Sequence, residues 1–367
     1  SRNTLGVRGR AVISVAASDH REPSEAAAAN LQLQQLHQLL IQPIADLLPQ
    51  DPNQQIIFIP DDSLFLVPFP ALQDASGKYL IENHTLTTAP SINILALTRQ
   101  QQQRVQGLPG DALVIGNPTM PLVRIKGVPE ATTFLENANS LEPQANNPQG
   151  IRLSPLPGAE LEAQTIAQLL GTQALIGSQA KETTVVAQMP RAKIIHFATH
   201  GLLDEFMRNV TGVVTNGVEQ ITDLDSDDIT RLQEPGGIAL APVNSEIIAV
   251  QYPQGEADGL LTSLEIQQLK LNSELVVLSA CNTGGGDIVG DGVVGLSRAF
   301  IIAGVPSVIV SLWSVPDAPT AELMTEFYRQ LQQNPNKAQA LRNAMLLTKQ
   351  KHPRPLDWAA FTLVGEP

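Results

Sequence analysis

Lys193-Ile194-Ile195-His196-Phe197-Ala198-Thr199-His200-Gly201 and Leu275-Val276-Val277-Leu278-Ser279-Ala280-Cys281-Asn282-Thr283-Gly284 decide how this chain is read. Each is a continuous apolar run rich in β-branched residues that breaks off at a reactive side chain followed by small residues and glycine. That is the pattern of a strand buried on both faces running out into a loop. Ligands of an open parallel sheet bind in the crevice beyond the carboxyl ends of its strands. Two such strands ending in His200 and Cys281 would set a base and a nucleophile on one rim, the dyad of a cysteine hydrolase.

The surrounding sequence keeps the rhythm that such a sheet requires. Pro157 to Leu170 reads as a helix, Ala174 to Gly177 as a strand and Glu182 to Met189 as a short helix leading to the His strand. Gly237 to Pro242 reads as a strand and Ser263 to Leu269 as a helix before the Cys strand. Val293 to Ala303 is a helix, Ser307 to Leu312 a strand, Thr320 to Gln333 and Lys337 to Lys351 are helices, and Phe361 to Val364 is a last strand. Alternation of this kind predicts a mostly parallel, helix-flanked sheet.

The amino-terminal part is plainer. Residues 1–29 read as a tail or connector, and Ala26 to Leu48 carries leucines at three- and four-residue intervals, which predicts one long helix. Ile56-Ile57-Phe58-Ile59 and Leu64-Phe65-Leu66-Val67-Pro68-Phe69, separated by Pro60-Asp61-Asp62, read as a hairpin. Ile92 to Arg104 reads as a helix and Ala112 to Pro118 as a strand closed by a turn. Residues 117–157 are rich in Pro, Asn and Gly and read as a long loop, the best internal boundary. The expected organisation is a smaller α/β half over 30–150 and a catalytic half over 151–367, together one unit.

Composition narrows the partners. Hydrophobic residues are 43% and charged residues 16% of 367, enough for a sizeable core. A net charge of −13 without clustered Lys and Arg excludes direct nucleic-acid binding and favours basic peptides. One cysteine cannot form an intramolecular disulfide and points to a reducing, cytoplasmic setting. The uncharged run Ala299 to Val315 is broken by Gly304 and Pro306, so no membrane span is expected. The start at Ser1 without a leader reads as a fragment.

His196 and His200 are four apart, a chelating pair on a helix. On a strand their rings would lie roughly 13 Å apart, too far for one metal, so no metal or other cofactor is expected. His196, inside the apolar run, reads as a satisfied core residue. Cys281 reads as a nucleophile in a loop that backbone amides can line. Gly284, Gly285, Gly286, Gly290 and Gly292 lack the Gly-Lys-Ser/Thr of a phosphate loop and read as a flexible loop after the nucleophile.

His196-Phe197-Ala198-Thr199-His200-Gly201, Asp258-Gly259-Leu260-Leu261-Thr262, Val276 to Gly284, Gly295 to Phe300 and Ala303 to Trp313 resemble a CHAT domain. Ile59-Pro60-Asp61, Leu66-Val67-Pro68-Phe69, Pro157-Gly158-Ala159-Glu160 and Trp358 to Gly365 extend the likeness over roughly residues 30 to 366. CHAT domains are similar to separases and caspases. The resemblance implies a caspase-like α/β/α sandwich with a pseudo-protease-like half before it, and cleavage of a protein or peptide substrate. It implies His200 as general base and acid, Cys281 as nucleophile, and the amides of Gly201 and Cys281 as oxyanion donors. It also implies an activating protein partner or a fused repeat region. Asn282 departs from the Glu of many relatives.

Ser311 to Asp317 resembles the separase segment that receives a basic substrate residue, which makes Trp313, Ser314 and Asp317 candidates for substrate binding. Separases carry an acid where Ser314 stands, and Asp317 equally fits a helix cap. The acidic stretch Asp223 to Asp228 reads as a solvated loop. A dyad alone also suits an acyltransferase, and the same fold without turnover suits a scaffold.

Overall fold

The structure, a computed structural model, describes residues 23–125, 141–143, 151–202, 210–213, 236–243, 259–279, 281–282, 290–313 and 315–367. Its centre is an eight-stranded sheet made of β1 (Gln55–Phe58), β2 (Thr85–Thr88), β3 (Ala112–Pro118), β7 (Ala174–Gly177), β8 (Ile194–Ala198), β13 (Leu275–Leu278), β15 (Ser307–Ser311) and β16 (Phe361–Gly365). The order is β1-β2-β16-β15-β13-β8-β3-β7. The five strands from β15 to β7 are parallel. β16 runs antiparallel to β15 and parallel to β2, which is parallel to β1. Strands from both sides of position 150 thus share one sheet.

Helices cover both faces. On one lie α1 (Pro23–Leu40), α3 (Pro157–Leu169), α7 (Asp317–Gln333) and α8 (Lys337–Lys351); on the other lie α4 (Glu182–Gln188), α5 (Ser263–Gln268) and α6 (Gly290–Ala303), with α2 (Ile92–Val105) reaching them through Ile94. Alternation along the strands feeds two cores. Val277 and Ala198 pack on the first side, whereas Val276, Leu278, Ile195 and Phe197 pack on the second. This is the helix-flanked sheet the alternating pattern predicts and the caspase-like α/β/α sandwich the resemblance implies, and α3 shows the local logic: Ala159, Glu162, Ala163, Ile166 and Ala167 recur at helical spacing and are the residues it buries. Among the described residues no helix is long and apolar enough to cross a membrane.

Several expectations need correction. The hairpin does not form: β1 pairs in parallel with β2, and residues 62–66 and 69–71 are 3-10 turns. Pro60, Pro68 and Pro70 withhold amides and fix φ, so the second apolar run cannot hold a ladder. The helix expected over 26–48 stops at Leu40 and continues as a 3-10 turn through Pro43. Within 117–157, β4 (Leu122–Ile125), β5 (Leu141–Pro143) and β6 (Ile151–Leu153) form a small antiparallel sheet with β10 (Val210–Val213). Gly290 and Gly292 belong to α6 rather than to a loop. The acidic stretch Asp223 to Asp228 and Gly284 to Gly286 lie outside the described residues.

Candidate active site

Parallel strands share a direction, so the carboxyl ends of β15, β13, β8 and β3 share one rim. The chain leaves them at Leu312-Trp313, Ser279, Thr199 and Asn117 to Pro118 respectively. Sequence reading put His200 and Cys281 in loops here. Both are instead on short strands of a second sheet. β9 (His200–Leu202) and β14 (Cys281–Asn282) lie beside β11 (Gly237–Ala239) and β12 (Leu260–Thr262) in the order β12-β11-β9-β14. β9 and β14 pair in parallel with Cys281 opposite His200 and Asn282 opposite Gly201. Register partners on neighbouring strands are about 4.8 Å apart, backbone to backbone. The Thr199 hydroxyl fixes the step from β8 to β9 by donating to the Ala239 carbonyl at 2.8 Å.

His200 is fully buried. Its Nε2 is 2.7 Å from the Ser154 carbonyl oxygen, which can only accept, so Nε2 carries the hydrogen. Nδ1 is buried and has no hydrogen-bond partner among the described residues. Burial lowers the imidazole pKa from 6.5 to about 4, the Ser154 carbonyl opposing the shift. His200 is therefore neutral at pH 7, with a free lone pair on Nδ1 and a fixed tautomer. Such a nitrogen can take a proton.

The Ser154 carbonyl is held by an unusual strap. In Ser154-Pro155-Leu156-Pro157-Gly158 the two prolines have no N–H and push the residues before them towards extended backbone. The Leu156 amide donates to Asn117 Oδ1 at 2.8 Å, and Asn117 Nδ2 donates to Glu160 Oε2 at 3.1 Å. At the far end Gly158 lies against the Asp317 side chain, whose carboxyl feels the Gly158 amide. A Cβ on Gly158 would stand 2.5 Å from Asp317 Cβ, so glycine is what lets α3 and α7 begin side by side. Partial desolvation raises the Asp317 carboxyl, and the Gly158 amide draws it back down.

The remaining sequence candidates are spread along the rim. Trp313 is half-buried, and its indole Nε1 donates to the Leu356 carbonyl at 3.2 Å. Gly201 is buried, partnered by Ile238 on one side and Asn282 on the other. Ser314 lies outside the described residues. His196 is not part of this rim. Its Nε2 meets Glu162 Oε1 at 2.9 Å and its Nδ1 meets the Tyr328 hydroxyl at 3.2 Å, all three groups buried. With Nε2 donating to the carboxylate and the phenol donating to Nδ1, β8 is tied to α3 and α7. Burial first and the Glu162 charge second raise the Tyr328 phenol well above its ordinary value, which keeps it a donor.

Ser154, Asn117, Glu162 and Tyr328 escaped the sequence reading. A backbone carbonyl leaves no trace in a sequence, but a lone amide between two prolines and an Asn between Gly116 and Pro118 are visible signals.

Residues 31–366 match the family model described as CHAT domain. The chain belongs to the CHAT domain family. Tetratricopeptide repeat protein 28 of Mus musculus is 28% identical over 346 residues, and that of Homo sapiens 28% identical over 356 residues. Each comparison covers 91% of this CHAT domain chain and only 13% of the relative's length. Solved structures that resemble it include the Arg-specific cysteine proteinase gingipain R (RgpB) of Porphyromonas gingivalis, at TM-score 0.44 and 12% identity over 93% of this chain and 67% of that one. The separase–securin complex of Saccharomyces cerevisiae gives TM-score 0.40 and 14% identity over 86% and 16%.

Proposed function

We propose that this CHAT domain is a caspase-like cysteine endopeptidase in which His200 and Cys281 form the dyad. The observation that supports it most is a buried, neutral His200 with its hydrogen fixed on Nε2, no partner for Nδ1 among the described residues, and Cys281 its register partner on the next strand. Nδ1 takes the thiol proton as sulfur attacks the peptide carbonyl carbon. The oxyanion is met by the amides of Gly201 and Cys281. The tetrahedral adduct collapses, Nδ1–H protonates the leaving amine, and a thioester remains. Water then attacks the thioester, Nδ1 accepting its proton and returning it to sulfur as the acid leaves.

On this reading residues 151–367 carry the chemistry and residues 30–150 form the supporting pseudo-caspase-like half. The net charge of −13 suits basic protein substrates, with Trp313, Ser314 and Asp317 receiving Arg or Lys before the cut. A repeat region or separate protein partner controls access, in keeping with the tetratricopeptide repeat relatives, and a single cysteine suits the cytoplasm.

A peptidyl acyloxymethyl ketone with Arg at its reactive end tests the proposal, with labelling located by mass spectrometry. Modification of Cys281 in the wild type, absent in His200→Ala, is expected. Peptide turnover by Cys281→Ala or His200→Ala above about 1% of wild type contradicts the dyad. One observation favours a second reading, a silent scaffold: His200 is fully buried although a working base must meet its substrate. A wild type that neither labels nor turns over any peptide of a random library decides for the scaffold.

A further inference from the structure

Asn117 has positive φ, 41°, and is the one such non-glycine residue among those described. It stands at a register shift of β3 against β7, between the pairs Gly116↔Ile176 and Pro118↔Gly177. Glycine would adopt this backbone at no steric cost, whereas Asn tolerates it at some cost. What the side chain adds is therefore the question. Its two polar atoms both reach the strap and the helix start behind it: Oδ1 accepts from the Leu156 amide at 2.8 Å and Nδ2 donates to Glu160 at 3.1 Å.

Pro155 and Pro157 make the Leu156 amide the sole backbone donor between Ser154 and Gly158. Asn117 thus occupies the one hydrogen bond by which this stretch can be anchored from its own amides. Two residues earlier, the Ser154 carbonyl receives His200 Nε2 at 2.7 Å. β3 also pairs with β8, Gly116 opposite Ala198, which puts Asn117 on the strand next to the one that runs into His200.

We infer that Asn117 is a positioning residue that fixes the tautomer and orientation of His200 by pinning the Ser154 carbonyl through the Leu156 amide. Pinned, the carbonyl keeps hydrogen on Nε2 and leaves Nδ1 to accept. Released, it frees the ring to place its hydrogen on Nδ1, where it blocks the acceptor. The effect on the tautomer stands by itself, and only its catalytic consequence rests on the peptidase reading.

Asn117→Gly separates the two jobs, because it keeps the left-handed backbone and removes both side-chain bonds. The ring of His200 is read by 15N NMR of the histidine-labelled 367-residue chain at pH 7, with His200→Gln assigning its signals among the six histidines. Wild type is expected as a single Nε2–H form. Asn117→Gly is expected as a mixture with Nδ1–H, while kcat falls by about ten- to a hundredfold at unchanged KM. Asn117→Asp keeps an acceptor for Leu156 but faces Glu160, and Asn117→Asp with Glu160→Gln reverses that donor and acceptor. The double variant is expected to restore the Nε2–H form, and it decides the matter if Asn117→Gly does not fold. A pure Nε2–H form in folded Asn117→Gly overturns the inference, as does a double variant that folds with a mixed ring. A wild type that shows the single tautomer without turnover removes the peptidase reading and leaves this inference intact.

Discussion

Acidification gives the most direct test of the buried base. Folded His200 has a pKa of about 4 because burial disfavours its charged form, against 6.5 for the exposed side chain. Between those values the unfolded chain binds a proton that the folded chain refuses, so stability falls as pH falls and is fully present only above pH 6.5. The difference amounts to about 2 kcal/mol between pH 7 and pH 5, and to about 3 kcal/mol by pH 4. Other groups titrate there as well, since burial also lowers His37 and His84, so the measurement must isolate one ring. Urea unfolding of wild type and His200→Gln at pH 7.5, 6 and 5 does this, because Gln can still donate to Ser154 and cannot take the proton. The stability gap between the two proteins should move against wild type by about 2 kcal/mol over that range. A gap that stays flat, or moves the other way, means that folded His200 titrates near or above 6.5. The neutral base and its free Nδ1 would then be wrong.

Three further outcomes follow from other contacts. Tyr328→Phe leaves His196 Nδ1 buried without its hydroxyl and should lower stability by about 1–3 kcal/mol, while His196→Ala, which also opens a cavity, should cost more. Denaturant midpoints read both, and a normal midpoint with lost turnover in His196→Ala would move that histidine into the chemistry. Gly116→Ala drives a methyl into Ala163 Cβ and to 2.8 Å from the Ala159 carbonyl, so α3 must shift from β3 at about 1–3 kcal/mol, partly recovered by adding Ala163→Gly. An unchanged midpoint for Gly116→Ala would deny the close approach. Asp317→Ala should reduce kcat/KM roughly tenfold or more on peptides with Arg or Lys before the cut and spare a Leu peptide; equal losses on both peptides would leave Asp317 only a structural role beside Gly158.

The main sheet was legible because burial on both faces writes itself as unbroken apolar runs. Ile194 to Ala198 and Leu275 to Leu278 fall where those runs predict, as do the helices whose buried stripes repeat at helical spacing. Leu64 to Phe69 looked equally apolar and misled, since hydrophobicity records burial and not conformation, and the prolines around it decide the backbone. β9 and β14 were invisible for a different reason. Strands of two or three residues are too short for any periodicity, and they form because their neighbours bring them together. His200 and Cys281 stand out from the sequence as a candidate pair, but the electrostatics of His200 do not. They depend on a carbonyl donated by a segment 46 residues away.

That remote carbonyl also fixes which ring nitrogen meets no partner among the described residues. An unpartnered polar atom in the interior costs about 1–3 kcal/mol, and a fold under no other demand would fill the place with a donor or replace the ring. A donor fixed on Nδ1 would satisfy the interior and abolish the acceptor. A lone pair kept on Nδ1 can instead accept a hydrogen from a group brought to it, a thiol among them. The strap that Asn117 holds at the Leu156 amide is what keeps the lone pair on that side of the ring. The Ser154 carbonyl does not merely orient His200: it determines which nitrogen is left to react.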